Sequence, residues 1–80
     1  MYKRQVAQRY DLVFVDPPYD LGLAAPACAA LETLGLLMPD AWIYLESRRH
    51  DPAPAVPENW QLLREKEGGD VRARLYARTV

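Results

Sequence analysis

Apolar residues in this chain come in short runs separated by proline- and glycine-rich breaks. Residues 11–15, within Tyr10-Asp-Leu-Val-Phe-Val15, are β-branched, aromatic and nearly continuously apolar, the pattern of a strand covered on both faces. Asp16-Pro17-Pro18 ends it, because two prolines remove two ladder donors and hold φ near −65°. From 22 to 35 the spacing changes to that of a helix, with Leu23, Ala27, Ala30, Leu31 and Leu34 on one face. Pro26 suits only its first turn, Gly35 suits a left-handed C-terminal cap, and Pro39 blocks continuation. Residues 41–46, Ala-Trp-Ile-Tyr-Leu-Glu, form a second apolar strand. Strand, helix and strand in so short a span predict a parallel βαβ unit.

Residues 47–58 carry Arg48, Arg49, His50, Asp51 and three prolines, a polar connection without room for a long helix. Two runs, 60–66 and 71–78, then bracket Gly68-Gly69 and predict an antiparallel β-hairpin. In the second run Val71, Ala73, Leu75 and Ala77 alternate with Arg72, Arg74, Tyr76 and Arg78, so three arginines share one face. A tight turn at the two glycines sets Arg72 opposite Glu65, which favours cross-strand pairing for that arginine.

Eighty residues is short for an enzyme domain, which usually needs roughly 100–150. With 50% hydrophobic and 26% charged residues the composition is globular rather than disordered. The chain is therefore expected to be one partial domain, 1–80, with part of a larger domain missing. A net charge of −1 leaves no strong overall footprint for nucleic acid. Residues 1–10 are basic, 11–40 hold five acids and no base, and the last twenty are basic again, so any phosphate contact is expected at the ends. Cys28 is the only cysteine, so no internal disulfide or multi-cysteine metal site is possible, and its Ala-rich setting makes it a small buried hydrophobe. His50 is the only histidine and is read as a solvated loop residue; no metal is expected. No apolar run reaches the roughly 20 residues that span a membrane and no signal peptide opens the chain, so a cytoplasmic protein is expected.

Candidate chemistry concentrates at Asp16-Pro17-Pro18-Tyr19. Ligands of open α/β sheets bind beyond the carboxyl ends of the strands, where this tetrapeptide falls. The prolines make a stiff turn whose carbonyl oxygens point outward, Asp16 adds a carboxylate acceptor, and Tyr19 offers a flat ring. An exocyclic amino group of a nucleobase needs such a set. Its lone pair is delocalised into the ring, and hydrogen bonds from its N–H groups to Asp16 and a proline carbonyl favour a pyramidal nitrogen aimed at a methyl donor. Stacking on Tyr19 holds a base that has left its helix. The competing structural reading is that Asp16 merely caps the following helix.

Beyond the motif, Tyr10-Asp-Leu-Val-Phe-Val-Asp-Pro-Pro-Tyr19, Trp42-Ile-Tyr-Leu-Glu-Ser47, and the tail Val56-Pro-Glu-Asn-Trp60, Arg64-Glu-Lys66, Gly69 and Arg74-Leu-Tyr76 resemble the RsmD family of small-subunit rRNA guanine-N2 methyltransferases. The resemblance covers almost all of residues 10–78. It implies an α/β fold: the C-terminal half of a class I, Rossmann-like domain that uses S-adenosylmethionine (SAM). It also implies methylation of N2 of one guanine in 16S rRNA, within the small subunit or its assembly intermediate. Asp16, Pro17, Pro18 and Tyr19 are then the catalytic set, with Asp16 and Pro17 also against the cofactor. Tyr19 stands where relatives often have phenylalanine. The family's glycine-rich cofactor loop and ribose-binding acid have no counterpart in these 80 residues.

Arg48 and Arg49 follow a strand at the same sheet edge and are candidate RNA contacts, as are Arg74 and Arg78. Trp42 and Trp60 are read as core or flank packing. Without upstream neighbours the strand at 11–15 would expose an apolar edge, which favours self-association of the chain. Two alternatives stay open: an adenine-N6 methyltransferase of DNA or RNA, since Asp-Pro-Pro-Tyr serves adenine equally well, and a non-catalytic RNA-binding or assembly module.

Overall fold

The computed structural model describes residues 9–16 and 23–79. Along the chain run β1 (Tyr10–Val15), α1 (Ala24–Thr33), β2 (Leu37–Arg48), β3 (Trp60–Gly68) and β4 (Val71–Arg78). The strands make one sheet in the order β1-β2-β4-β3. β1 and β2 pair in parallel, with Leu12 beside Trp42 and Val15 beside Leu45. β2 pairs antiparallel with β4, and β4 with β3. The predicted βαβ unit and hairpin are therefore both present, and the hairpin docks through β4 onto the βαβ strand that precedes it.

Each element is longer or shorter than its sequence pattern for a local reason. α1 was expected over 22–35 and spans Ala24–Thr33, with Pro26 in its first turn. Leu34 is the C-cap, and Gly35 takes φ +67°. The Gly35 amide donates to the Glu32 carbonyl at 3.1 Å, and the Leu36 amide to the Leu31 carbonyl at 3.1 Å, a Schellman closure that requires the left-handed glycine. β2 was expected from 41 but begins at Leu37, because the Tyr10 amide donates to the Leu36 carbonyl at 2.8 Å and brings Leu37 beside Tyr10. Between Tyr10 and Leu12 the partner jumps from Leu37 to Trp42. The extra residues form a bulge that holds Pro39 and gives Asp40 a φ of +62°. β2 also runs past 46 to Arg48, which β4 pairs through Val71.

The core lies on one face of the sheet, beneath α1. Val15, Cys28, Leu37, Ala41, Ile43, Leu45, Trp60 and Tyr76 are buried there, with Val13, Ala24, Ala27, Leu31 and Val56 packed around them. Ile43 and Leu45 are fully enclosed, each worth roughly 1.5–3 kcal/mol of burial. The buried stripe of α1 is Ala24, Ala27, Cys28 and Leu31, at i, i+3, i+4 and i+7. Leu23 and Leu34, expected on that stripe, are exposed because they are the two caps and lie outside the helix.

The opposite face differs from expectation. β1 was read as covered on both sides, yet Phe14 is 68% exposed and Trp42 49% exposed. Leu12, Phe14, Trp42 and Tyr44 line this second face, and among the described residues no element packs over it. Trp60, by contrast, joins the core as expected, and its ring lies 5.9 Å from that of Tyr76.

Candidate active site

Parallel pairing places the carboxyl ends of β1 and β2 at one pole of the sheet. Asp16 follows Val15 there and is exposed. Because β4 is antiparallel to β2, with Val71 beside Arg48, the tip of the β3–β4 hairpin reaches the same pole. Pro17, Pro18 and Tyr19 lie outside the described residues. At the outer edge of β1, Val13, Phe14, Val15, Asp16, Ala27 and Leu31 line an open groove of about 320 Å³. Asp16 thus ends the strand beside an apolar trough, not at a helix terminus: the N-cap of α1 is Leu23, which makes no side-chain cap hydrogen bond.

Two further side chains join the pole. The Tyr44 hydroxyl donates to Glu46 Oε2 at 3.0 Å, and the Phe14 and Tyr44 rings meet edge to face at 5.5 Å. That bond to Glu46, then burial, then the charges of Glu46 and Asp16 push the Tyr44 hydroxyl above its ordinary pKa. Tyr44 and Glu46 are two apart on a strand, so both project from the face that carries Phe14. Their alternation was visible in the apolar run at 41–46, but without the register across to β1 nothing tied them to Asp16.

The candidate RNA arginines separate into two groups. Arg48 and Arg49 are exposed at the Asp16 pole. Arg49 holds the hairpin tip: its amide donates to the Asp70 carbonyl at 2.7 Å, and its Nε lies 3.2 Å from Glu67 Oε1. His50 is exposed beside them, as expected.

Arg74 and Arg78 are corrected. Arg74 is 3% exposed, and its guanidinium donates to Glu65 at 2.8 Å and to Ser47 Oγ at 3.1 Å, so no face remains for a phosphate. Arg78 sits at the opposite pole and grips Glu32 with both Nε and a terminal nitrogen, at 2.7 and 3.1 Å. Arg72 is also shifted: the turn falls at Gly69-Asp70, so Arg72 lies opposite Glu67 and pairs with it, while Glu65 faces Arg74. Among the described residues no group of three or more His, Cys, Asp or Glu side chains is arranged to hold a metal ion.

A parallel pair bridged by a helix, an antiparallel hairpin beyond it and an acid at the carboxyl pole make up a Rossmann-like α/β arrangement, the class of fold that methyltransferases share. The comparisons agree. The family model described as conserved hypothetical protein 95 matches residues 1–77. Ribosomal RNA small subunit methyltransferase D of Escherichia coli K12 is 46% identical over 69 residues, covering 86% of this chain and 35% of its own length. The protein of that name from Haemophilus influenzae is 45% identical over 67 residues, covering 84% and 34%. A solved H. influenzae structure, proposed to be a methylase, superposes with TM-score 0.83 at 40% identity over 98% of this chain and 48% of that one. An E. coli structure, proposed to be a methyltransferase, gives TM-score 0.83 at 44% identity over 90% and 40%. This chain belongs to the conserved hypothetical protein 95 family, the RsmD family of methyltransferases. It spans about a third of the length of the curated relatives it matches.

Proposed function

We propose that this chain forms the base-holding part of an enzyme that methylates the exocyclic N2 amino group of a guanine in 16S rRNA, with SAM as methyl donor. The observation that carries the reading is Asp16: an exposed carboxylate at the carboxyl end of a parallel strand, followed in sequence by Pro17-Pro18-Tyr19. Support comes also from relatives named as ribosomal RNA small subunit methyltransferases. An enzyme that acts on the small subunit or its assembly intermediate would work in the cytoplasm.

The cofactor fits what is described of the site. Asp16 offers an acceptor and the groove over Val13, Val15 and Leu31 offers apolar surface, so Asp16 and Pro17 would flank the donor. When bound, SAM supplies a methyl group on a positively charged sulfur. The chain's own residues do the rest. Asp16 and a proline carbonyl accept the two N–H bonds of the amino group, which turns its lone pair out of conjugation and toward the methyl. Tyr19 stacks on the extruded base. Arg48 and Arg49, at the same pole, would meet the RNA backbone. For the chain by itself, self-association through the outer edge of β1 belongs to the same reading.

The test supplies labelled SAM and unmodified small subunits to the chain extended upstream to the length of its relatives, then digests the RNA to nucleosides. Label is expected in N2-methylguanosine. Asp16→Ala should lower the rate by about a hundredfold or more, and Tyr19→Ala by roughly ten- to a hundredfold through lost stacking. Label in methyladenosine would point to an adenine-N6 enzyme. No label from a folded, SAM-binding protein would favour an RNA-binding or assembly module.

A further inference from the structure

Asp-Pro-Pro-Tyr by itself does not choose between guanine and adenine, because both present an exocyclic amino group. The choice must be made by a group that meets the neighbouring ring position. Guanine carries a donor there, N1–H, whereas adenine carries a bare acceptor, N1. A carboxylate placed beside the amino-binding acceptor satisfies the first and repels the second.

The pole holds such a carboxylate. Val15 pairs with Leu45, so the next residues along are Asp16, just past the end of β1, and Glu46, two residues before the end of β2. Glu46 is half-buried, and the Tyr44 hydroxyl fixes one of its oxygens at 3.0 Å. A carboxylate has about four lone-pair positions, so one anchoring bond leaves others for a ligand. The Phe14 ring meets the Tyr44 ring edge to face, 5.5 Å away. The ladder partner of Glu46 on β4 is Ala73, a small residue. Ala73, together with Tyr44, Lys66, Glu67, Gly68 and Val71, lines a recess of about 190 Å³ on the hairpin side of β2.

We infer that Glu46, held in place by Tyr44, is the specificity residue of this site and accepts the N1–H of the target guanine while Asp16 accepts from its amino group. Tyr44 is a positioning residue: it touches Glu46 and not the base. The inference rests on the guanine reading proposed above and extends it, since the motif at 16–19 leaves the base undetermined.

The experiment is a cycle between one side chain and one base atom, in the chain extended to its relatives' length. Small subunits are assembled with either guanine or 2-aminopurine at the methylated position, the second keeping the amino group and losing the N1 donor. The native protein should prefer guanine by roughly ten- to a hundredfold in kcat/KM, the discrimination that a well-placed base contact provides. Glu46→Ala should lose that preference to within a few-fold, with SAM affinity and melting temperature unchanged. Tyr44→Phe, which keeps the carboxylate and loosens it, should retain a reduced preference. A Glu46→Ala protein that still prefers guanine as strongly, or methylates it at the native rate, overturns the inference and leaves the guanine reading intact. Methyladenosine from the native protein overturns both.

Discussion

Glu32 shows how much one side chain can join. Its carboxylate accepts from Trp60 Nε1 at 2.7 Å, from Asn59 at 3.4 Å and from Arg78 at 2.7 and 3.1 Å. It therefore ties the last turn of α1 to both ends of the hairpin, at the pole away from Asp16. The Arg78 hydrogen bond, with lesser help from Trp60, the Arg78 charge and Asn59, outweighs burial and holds the Glu32 carboxyl below its usual value of 4.5. A depressed folded-state value adds stability above the unfolded pKa, and that stability is lost as pH falls through the folded one. Urea melts should thus show the native chain weakening as pH drops below about 5. Glu32→Gln should be less stable at pH 7 by roughly 1 kcal/mol and show a shallower acid decline. An identical acid slope in the variant would remove Glu32 from this role. At Cys28, by contrast, burial pushes the thiol up to about 11, leaving it protonated at neutral pH.

At the scale of elements, the β3–β4 hairpin depends on its turn. Gly69 has φ +59°, a region that costs an L-residue about 1–2 kcal/mol, while a Cβ built there would meet nothing within 4 Å. Gly69→Ala should accordingly destabilise by about 1 kcal/mol through backbone strain alone, and Gly69→Asn by less. Equal stability of the alanine variant and the native chain in denaturant titration would show that the turn does not need the left-handed conformation. The turn also sets the register. One residue's displacement moves Arg72 from Glu65 to Glu67 and leaves Glu65 to the buried Arg74. Period-two alternation grouped the three arginines correctly, yet it could not show that their face is the one beneath α1. That outcome requires acids arriving from β3 and α1, and none of those pairings is local in sequence.

As a whole, the described molecule is a slab of 48 × 25 × 19 Å, one sheet with a helix on a single face. β1 is an edge strand of that sheet, and beside it Leu12, Phe14 and Trp42 are exposed on the bare face. Open apolar edges recruit further strands. The 80-residue chain alone should run as a dimer or larger in light scattering, with Phe14→Lys reducing the association. The chain extended upstream should run as a monomer with this surface covered. A monomeric 80-residue chain would show that the edge is not adhesive.

What the sequence determined by itself was local. Short apolar runs ended by prolines, helical spacing ended at Gly35 and the glycine pair before β4 specify strand, helix, strand and hairpin, because turn chemistry and periodicity act within a few residues. Asp16 was legible because a proline pair after an apolar run is an unusual place for an acid. Tertiary structure alone decided the rest: that β2 starts at Leu37 through a bulge, that Arg74 and Arg78 are engaged inside the fold, and that Tyr44 and Glu46 stand beside Asp16. Those facts depend on register between strands distant in the chain, and a one-residue change in register sends a side chain to the other face.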